Sequence, residues 1–150
     1  MAIEPQPLRL IGYWNRDGRH FPDPRKLVRP GWLAPDDLVT LLNYLRAAPM
    51  YEFYMGYSWC RFSCEAENRV IGSREFWDGI WVWPEGLVHY VESHQVMLPE
   101  EFVHHALTYQ VPSSLPSPHW HGRKPGRWAV PSLEFWIDWA TKHDAVFRRT

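Results

Sequence analysis

The pattern of apolar and polar positions changes its period in the middle of residues 78–99, DGIWVWPEGLVHYVESHQVMLP. Residues 80–83 alternate between two faces, as in a strand. From Pro84 onward the apolar residues recur with helical spacing, so a helix is predicted near residues 85–94. The sequence therefore predicts a strand that runs directly into a helix.

Apolar residues also recur with helical spacing in three other segments, namely residues 35–47, a shorter stretch that begins at Pro99, and residues 132–143. Residues 50–83 are instead rich in aromatic and β-branched residues, with short breaks between apolar runs. Parallel neighbours need a crossover of a dozen or more residues, so these short breaks predict an antiparallel β-meander. The sequence predicts a single α+β domain over residues 1–150, in which three or four helices cover this meander.

Two further segments complete the predicted organisation. Residues 8–14 predict a strand, and the Asp17-Gly18 pair predicts a turn. Residues 112–130 are rich in Pro, Ser and His and predict a long loop. This loop contains His119, Trp120, His121 and Arg123. That composition suits a phosphate, a carboxylate or single-stranded nucleic acid, and the alternative is a solvated loop with its indole in the core.

Composition limits the classes of partner. The 150 residues include 16 Lys and Arg against 17 Asp and Glu, so no global charge draws the chain to nucleic acid or to an anionic membrane. No signal peptide and no long apolar run are recognisable, which predicts no membrane association. Two cysteines are too few for a secreted disulfide framework. These features together predict a cytoplasmic protein.

Aromatic residues form 16% of the chain, including ten tryptophans. Most are expected in the core, but two or three are predicted at a functional surface or an oligomer interface, because Trp and Tyr dominate binding hot spots. Trp81 and Trp83, beside the strand–helix junction, are the candidates in that region. The leading hypothesis is a non-enzymatic protein-binding module of the inhibitor or immunity type, with an unidentified protein partner. Homo-oligomer formation stays open.

The competing hypothesis is a small-molecule-binding protein or an enzyme with a pocket at the junction near residues 83–94. Glu85, His89 and His94 would supply its polar groups. Common catalytic signatures, such as G-x-S-x-G, H-E-x-x-H and the P-loop, are absent from the sequence. The sequence therefore indicates no mechanism and leaves enzymatic activity open.

Cys60, Cys64, His89 and His94 are the ligand types of a closed zinc site. Their spacing argues against one. On an extended strand the two thiols would lie about 13 Å apart at about 3.3 Å per residue. Residues five apart on a helix point about 140° away from each other, so His94 would need a loosened last turn. The favoured prediction is no cofactor, with buried cysteines and helix-surface histidines; the alternative is zinc.

The run DGIWVWPEGLVHYV at residues 78–91, preceded by GYSWCR at residues 56–61, resembles an uncharacterised family of small bacterial proteins with a DG-x-W-V-W-P-E-G-L-x-H-Y-V motif. The matching part covers roughly a third of the chain. The resemblance implies no established reaction. It also implies upstream cysteines that are sometimes closer together than Cys60 and Cys64, which counts further against zinc.

Overall fold

The computed structural model describes residues 7–15, 21–115 and 131–146. Within these ranges the strands are β1 (Leu8–Leu10), β2 (Met50–Phe53), β3 (Arg74–Trp77), β4 (Trp81–Pro84) and β5 (Pro131–Ser132). The helices are α1 (Pro35–Ala47), α2 (Asn68–Ile71), α3 (Leu87–His94), α4 (Glu100–Thr108) and α5 (Glu134–Lys142), with a 3₁₀ helix at Pro24–Leu27. The predicted α+β class is confirmed.

The five strands form one sheet in the order β2-β3-β4-β1-β5. The consecutive strands β2, β3 and β4 are antiparallel, as predicted for residues 50–83. The prediction of a purely antiparallel sheet is wrong, because β1 is parallel to both β4 and β5. These pairings join segments more than 70 residues apart or at opposite ends of the chain, so the short breaks in residues 50–83 carry no information about them.

The strand–helix junction forms as the sequence predicts. β4 ends at Pro84, and α3 begins at Leu87 with Gly86 as its N-cap. Gly86 lies close to the backbone of another element. A Cβ at this position would lie only 2.8 Å from the carbonyl oxygen of Ile71. The absence of a side chain at Gly86 thus lets the end of α2 pack against the start of α3.

The core is formed where the helices cover the sheet. α1 packs against both α3 and α4, while α5 packs against β1. The largest fully buried side chains include Trp83, Tyr90, Phe102 and Trp136. Each buried aromatic ring removes roughly 150–250 Å² from water, so a few of these residues account for much of the core. No helix in the described part of the chain has the length and apolar character needed to cross a membrane.

Candidate metal centre

Cys60 and Cys64 lie on a tight turn in the connection between β2 and β3. The amide of Ser63 donates to the carbonyl oxygen of Cys60 (3.1 Å), and Ser63 has a positive φ of 51°. The amides of Phe62 and Cys64 donate to the Cys60 sulfur. The expected extended strand, with thiols about 13 Å apart, is therefore wrong. Of residues 61–63, only Ser63 has a positive φ. A turn of this kind accepts most side chains, so it forms here without Gly, Pro or Asn.

Helix α3 supplies the two histidines. His89 lies in the first turn of this helix, and His94 is its last residue. Gln95 follows in the left-handed conformation (φ 54°) and ends the helix. On a regular helix the two imidazoles would point apart, so the sequence predicts that they meet only if the last turn is loosened at His94. The helix does end there, because Gln95 leaves the helical conformation. The planes of the two rings are 78° apart and their centroids are 4.9 Å apart.

The four side chains converge on one point and are called the Cys2His2 cluster below. The ligand atoms of Cys60, Cys64, His89 and His94 all lie within 4.8 Å of one another. Each cysteine sulfur is 3.4 Å from one imidazole nitrogen: Cys60 Sγ from His94 Nε2, and Cys64 Sγ from His89 Nε2. The two Nε2 atoms are 3.2 Å apart. This group could hold a metal ion.

Burial favours the neutral form of the two imidazoles in the cluster. It lowers the pKa of His89 below its usual value, and burial together with the neighbouring His89 lowers the pKa of His94. A neutral imidazole has a free ring lone pair, which is the form that binds metals. Burial raises the pKa of the Cys60 thiol, whereas the amides that donate to its sulfur favour the thiolate. A bound cation would stabilise the thiolate form further.

Aromatic side chains hold the cluster in place. The ring of Phe62 stacks on His94, with centroids 4.1 Å apart and planes within 4°. The Tyr90 hydroxyl accepts from the amide of Arg61 (2.9 Å) and donates to the carbonyl oxygen of Trp59 (3.3 Å). These contacts fix the cysteine turn against α3. Side chains that are not themselves ligands thus orient the two segments that supply the cluster, namely the cysteine turn and helix α3.

The other predicted site residues have different surroundings. Trp81 and Trp83 are 2% and 1% exposed, and Trp83 Nε1 donates to the carbonyl oxygen of Leu45 (3.4 Å). Both indoles therefore lie in the core rather than on a surface that a partner could reach. The Glu85 carboxylate accepts from the amides of Ser73 (3.0 Å) and Arg74 (3.3 Å), so it fastens the start of β3 to the end of β4.

His119, Trp120, His121 and Arg123 lie outside the described residues, as do the Asp17-Gly18 turn and most of the 112–130 loop. Their role in binding stays a prediction. Among the described residues, exposed large apolar side chains are concentrated in residues 50–59, which include Phe53, Met55 and Trp59. The protein partner stays a prediction, and homo-oligomer formation stays open.

A second polar cluster, which the sequence did not predict, surrounds Asp78 in the turn between β3 and β4. Asp78 is fully buried, and its Oδ1 accepts from the amides of Ile80 (2.8 Å) and Trp81 (2.7 Å). Its Oδ2 accepts from the Tyr44 hydroxyl (2.5 Å) and lies 2.9 Å from His105 Nε2. Tyr44, Asp78 and His105 are called the Asp78 cluster below. His105 lies on α4 beside the β3–β4 turn, and its side chain is 18% exposed.

Comparison of the chain with protein-family models, with curated proteins and with solved structures finds no match. The resemblance of residues 78–91 to a bacterial family therefore stays a prediction. What can be said about function rests on the geometry of the described residues.

Proposed function

We propose that this is a zinc-binding protein, in which a tetrahedral ion held by the Cys2His2 cluster fastens the β2–β3 connection to helix α3. The observation that carries the proposal is the set of distances within the cluster. Zn–S bonds of about 2.3 Å and Zn–N bonds of about 2.0–2.1 Å give a tetrahedron with S···N edges of about 3.6 Å and N···N edges of about 3.3 Å. The cluster has S···N distances of 3.4 Å and an N···N distance of 3.2 Å.

The ligand set favours zinc and a structural role. Two thiolates and two neutral imidazoles in tetrahedral arrangement are typical of Zn²⁺, whereas Mg²⁺ and Ca²⁺ prefer oxygen ligands. Two thiolates also balance the charge of the ion, so the buried site carries no uncompensated charge. Four protein ligands leave no open position for a substrate, which distinguishes structural from catalytic zinc. The two ligand pairs come from separate elements, so the ion would join a loop to a helix.

The test is metal analysis of freshly purified protein by mass spectrometry. We expect stoichiometric zinc in the natural chain and its loss in Cys60→Ser and His94→Ala. The matched control is His104→Ala, because His104 is an exposed histidine on α4 away from the cluster. Equal zinc in the Cys60→Ser variant and the natural chain would contradict the proposal.

A cobalt experiment keeps the test independent of whether the variants fold. We expect the natural chain, stripped of metal and loaded with cobalt(II), to show the intense visible bands of tetrahedral coordination and a thiolate-to-cobalt charge-transfer band. Weak visible bands without charge transfer would indicate an octahedral oxygen site elsewhere and would overturn the assignment of the ligands.

A further inference from the structure

A cavity of about 530 Å³ lies at the strand–helix junction. Its wall includes Pro84, Gly86 and Leu87 from the junction and Arg61 from the cysteine turn. This volume falls in the range of pockets that hold small organic ligands, roughly 300–1,000 Å³. The cavity is separate from the Cys2His2 cluster, since none of the four ligand residues lines it.

Six of the eighteen residues that line the cavity are aromatic. Its aromatic residues are Tyr13, Trp14, Phe21, Tyr54, Tyr57 and Tyr90. Tyr54 and Tyr57 are 56% and 62% exposed. Flat aromatic walls suit a ligand with a planar apolar body, because rings pack well by stacking or by edge-to-face contact. The wall therefore suits a ligand with a planar aromatic body.

Arg61 is the residue of the wall that indicates a negatively charged ligand. Its Nη1 donates to Ser58 Oγ (2.9 Å) and to the carbonyl oxygen of Trp59 (2.6 Å). Its Nε is buried, and no described residue accepts a hydrogen bond from it. The edge formed by Nε and Nη2 is one that guanidinium groups use for bidentate binding of carboxylates. Buried donors without an acceptor are rare, and because Nε is closed to solvent in this structure, Arg61 would have to turn toward the cavity for a ligand to supply that acceptor.

The acidic residue of the wall does not neutralise Arg61. The Glu75 carboxylate accepts from the hydroxyls of Tyr13 and Tyr54. The other cation of the wall, Arg74, lies 3.9 Å from a carboxylate oxygen of Glu85. Arg61 is thus the cation of the wall without a carboxylate partner among the described residues. A second buried donor of the wall, Trp14 Nε1, also has no acceptor there.

The start of helix α3 adds a further preference for negative charge. Gly86 and Leu87 line the cavity at the helix N-terminus, and no side chain caps this end. The first amides of a helix have no partner within it, and the helix dipole favours an anion at this end. From these features we infer that the cavity binds a small aromatic carboxylate, with the ring between the tyrosines and the carboxylate on Arg61. This inference goes beyond the proposed zinc site and does not depend on it.

The test is isothermal titration of the protein as purified with phenylacetate and indole-3-acetate, each compared with its neutral amide. We expect saturable binding of at least one acid, with the amide weaker by about tenfold or more, because the amide cannot form the charge-assisted pair. Absence of saturation by both acids up to about 10 mM, far above common ligand affinities, would overturn the inference. Equal binding of acid and amide would overturn it as well.

Two variants locate the binding. Arg61→Gln should weaken acid binding by about tenfold while leaving amide binding unchanged, and Arg69→Gln is the matched control because Arg69 pairs with Glu67 outside the cavity. Zinc content is measured in both variants, since Arg61 adjoins Cys60 in the chain. If Arg61→Gln also loses zinc, Tyr57→Ala decides: its loss of acid binding supports the cavity, and unchanged binding contradicts it. A protein with zinc but no acid binding refutes only this inference.

Discussion

The Cys2His2 cluster and the Asp78 cluster both place histidine beside groups that can carry negative charge, but the contacts within the two clusters differ. In the Asp78 cluster, each carboxylate oxygen accepts from two donors, so donors and acceptors are matched within the protein. In the Cys2His2 cluster, two sulfurs and two ring nitrogens lie within 4.8 Å of one another and could hold a metal ion. The Asp78 cluster is thus a complete hydrogen-bond network within the protein, whereas the Cys2His2 cluster has the donor atoms that suit a cation.

The tyrosine of the Asp78 cluster illustrates the matched case. Burial, together with the hydrogen bond to Asp78 and its charge, raises the pKa of Tyr44 well above its usual value. The hydroxyl therefore stays a donor at all ordinary pH values and always has the Asp78 carboxylate as its acceptor. Removing a metal should leave this cluster unchanged, while it should leave the Cys2His2 cluster without its main source of stability.

Of the changes that distinguish the two clusters, chelation of the metal should have the largest effect on the free energy of unfolding. Adding a zinc chelator should lower the free energy of unfolding by about 4 kcal/mol or more, because zinc binding to a closed site is itself folding free energy. For a chain of this size, that loss corresponds to a fall in the melting temperature of roughly 10 °C. Thermal unfolding followed by circular dichroism, before and after restoring zinc, measures it. An unchanged melting temperature would place the Cys2His2 cluster in the same class as the Asp78 cluster.

Asp78→Ala gives the next largest effect and probes the matched cluster. We expect a loss of about 3 kcal/mol in the free energy of unfolding, because two buried amides, Tyr44 and His105 lose their acceptor together. Zinc content should not change. Urea unfolding and metal analysis measure the two quantities, with Asp138→Ala on the exposed face of α5 as the control. Zinc loss in the Asp78 variant alone would show that the two clusters are not independent.

His105→Gln gives the smallest effect. It removes one of the four contacts to Asp78, so we expect a loss of about 1 kcal/mol. The adjacent His104→Gln is the control, because His104 is exposed on the same helix and the change should alter stability by less than about 0.5 kcal/mol. Equal destabilisation by the two variants in urea unfolding would show that the contact of His105 with Asp78 contributes nothing.

Local patterns in the sequence predicted the elements well. The helical spacing of residues 35–47 and the change of period at Pro84 correspond to α1 and to the junction of β4 with α3. These features depend on neighbours in the chain. The parallel pairing of β1 with β4 and β5 depends on contacts between distant segments, which a local pattern does not encode.

The candidate site was harder to predict for the same reason. The four residue types were recognised, but the turn at residues 60–63 is fixed by contacts from another element, including the Tyr90 hydroxyl on the Arg61 amide. The end of α3 at Gln95 then allows His94 to approach His89, despite their unfavourable helical phase. For the cavity, no motif marks Arg61 as a binding residue, and only the fold brings it beside the start of α3.

The connection from β2 to β3 spans residues 54–73, longer than most connections in a compact domain. An ion shared between Cys64 and His89 would act on this segment as a covalent cross-link acts on a polymer loop. It would divide one long loop into two shorter ones and so restrict the conformations open to each part of the loop in the folded protein. The segment after the cysteines would then resist proteolytic cleavage only while the ion is present, so a protease could report metal occupancy without any spectroscopic signal.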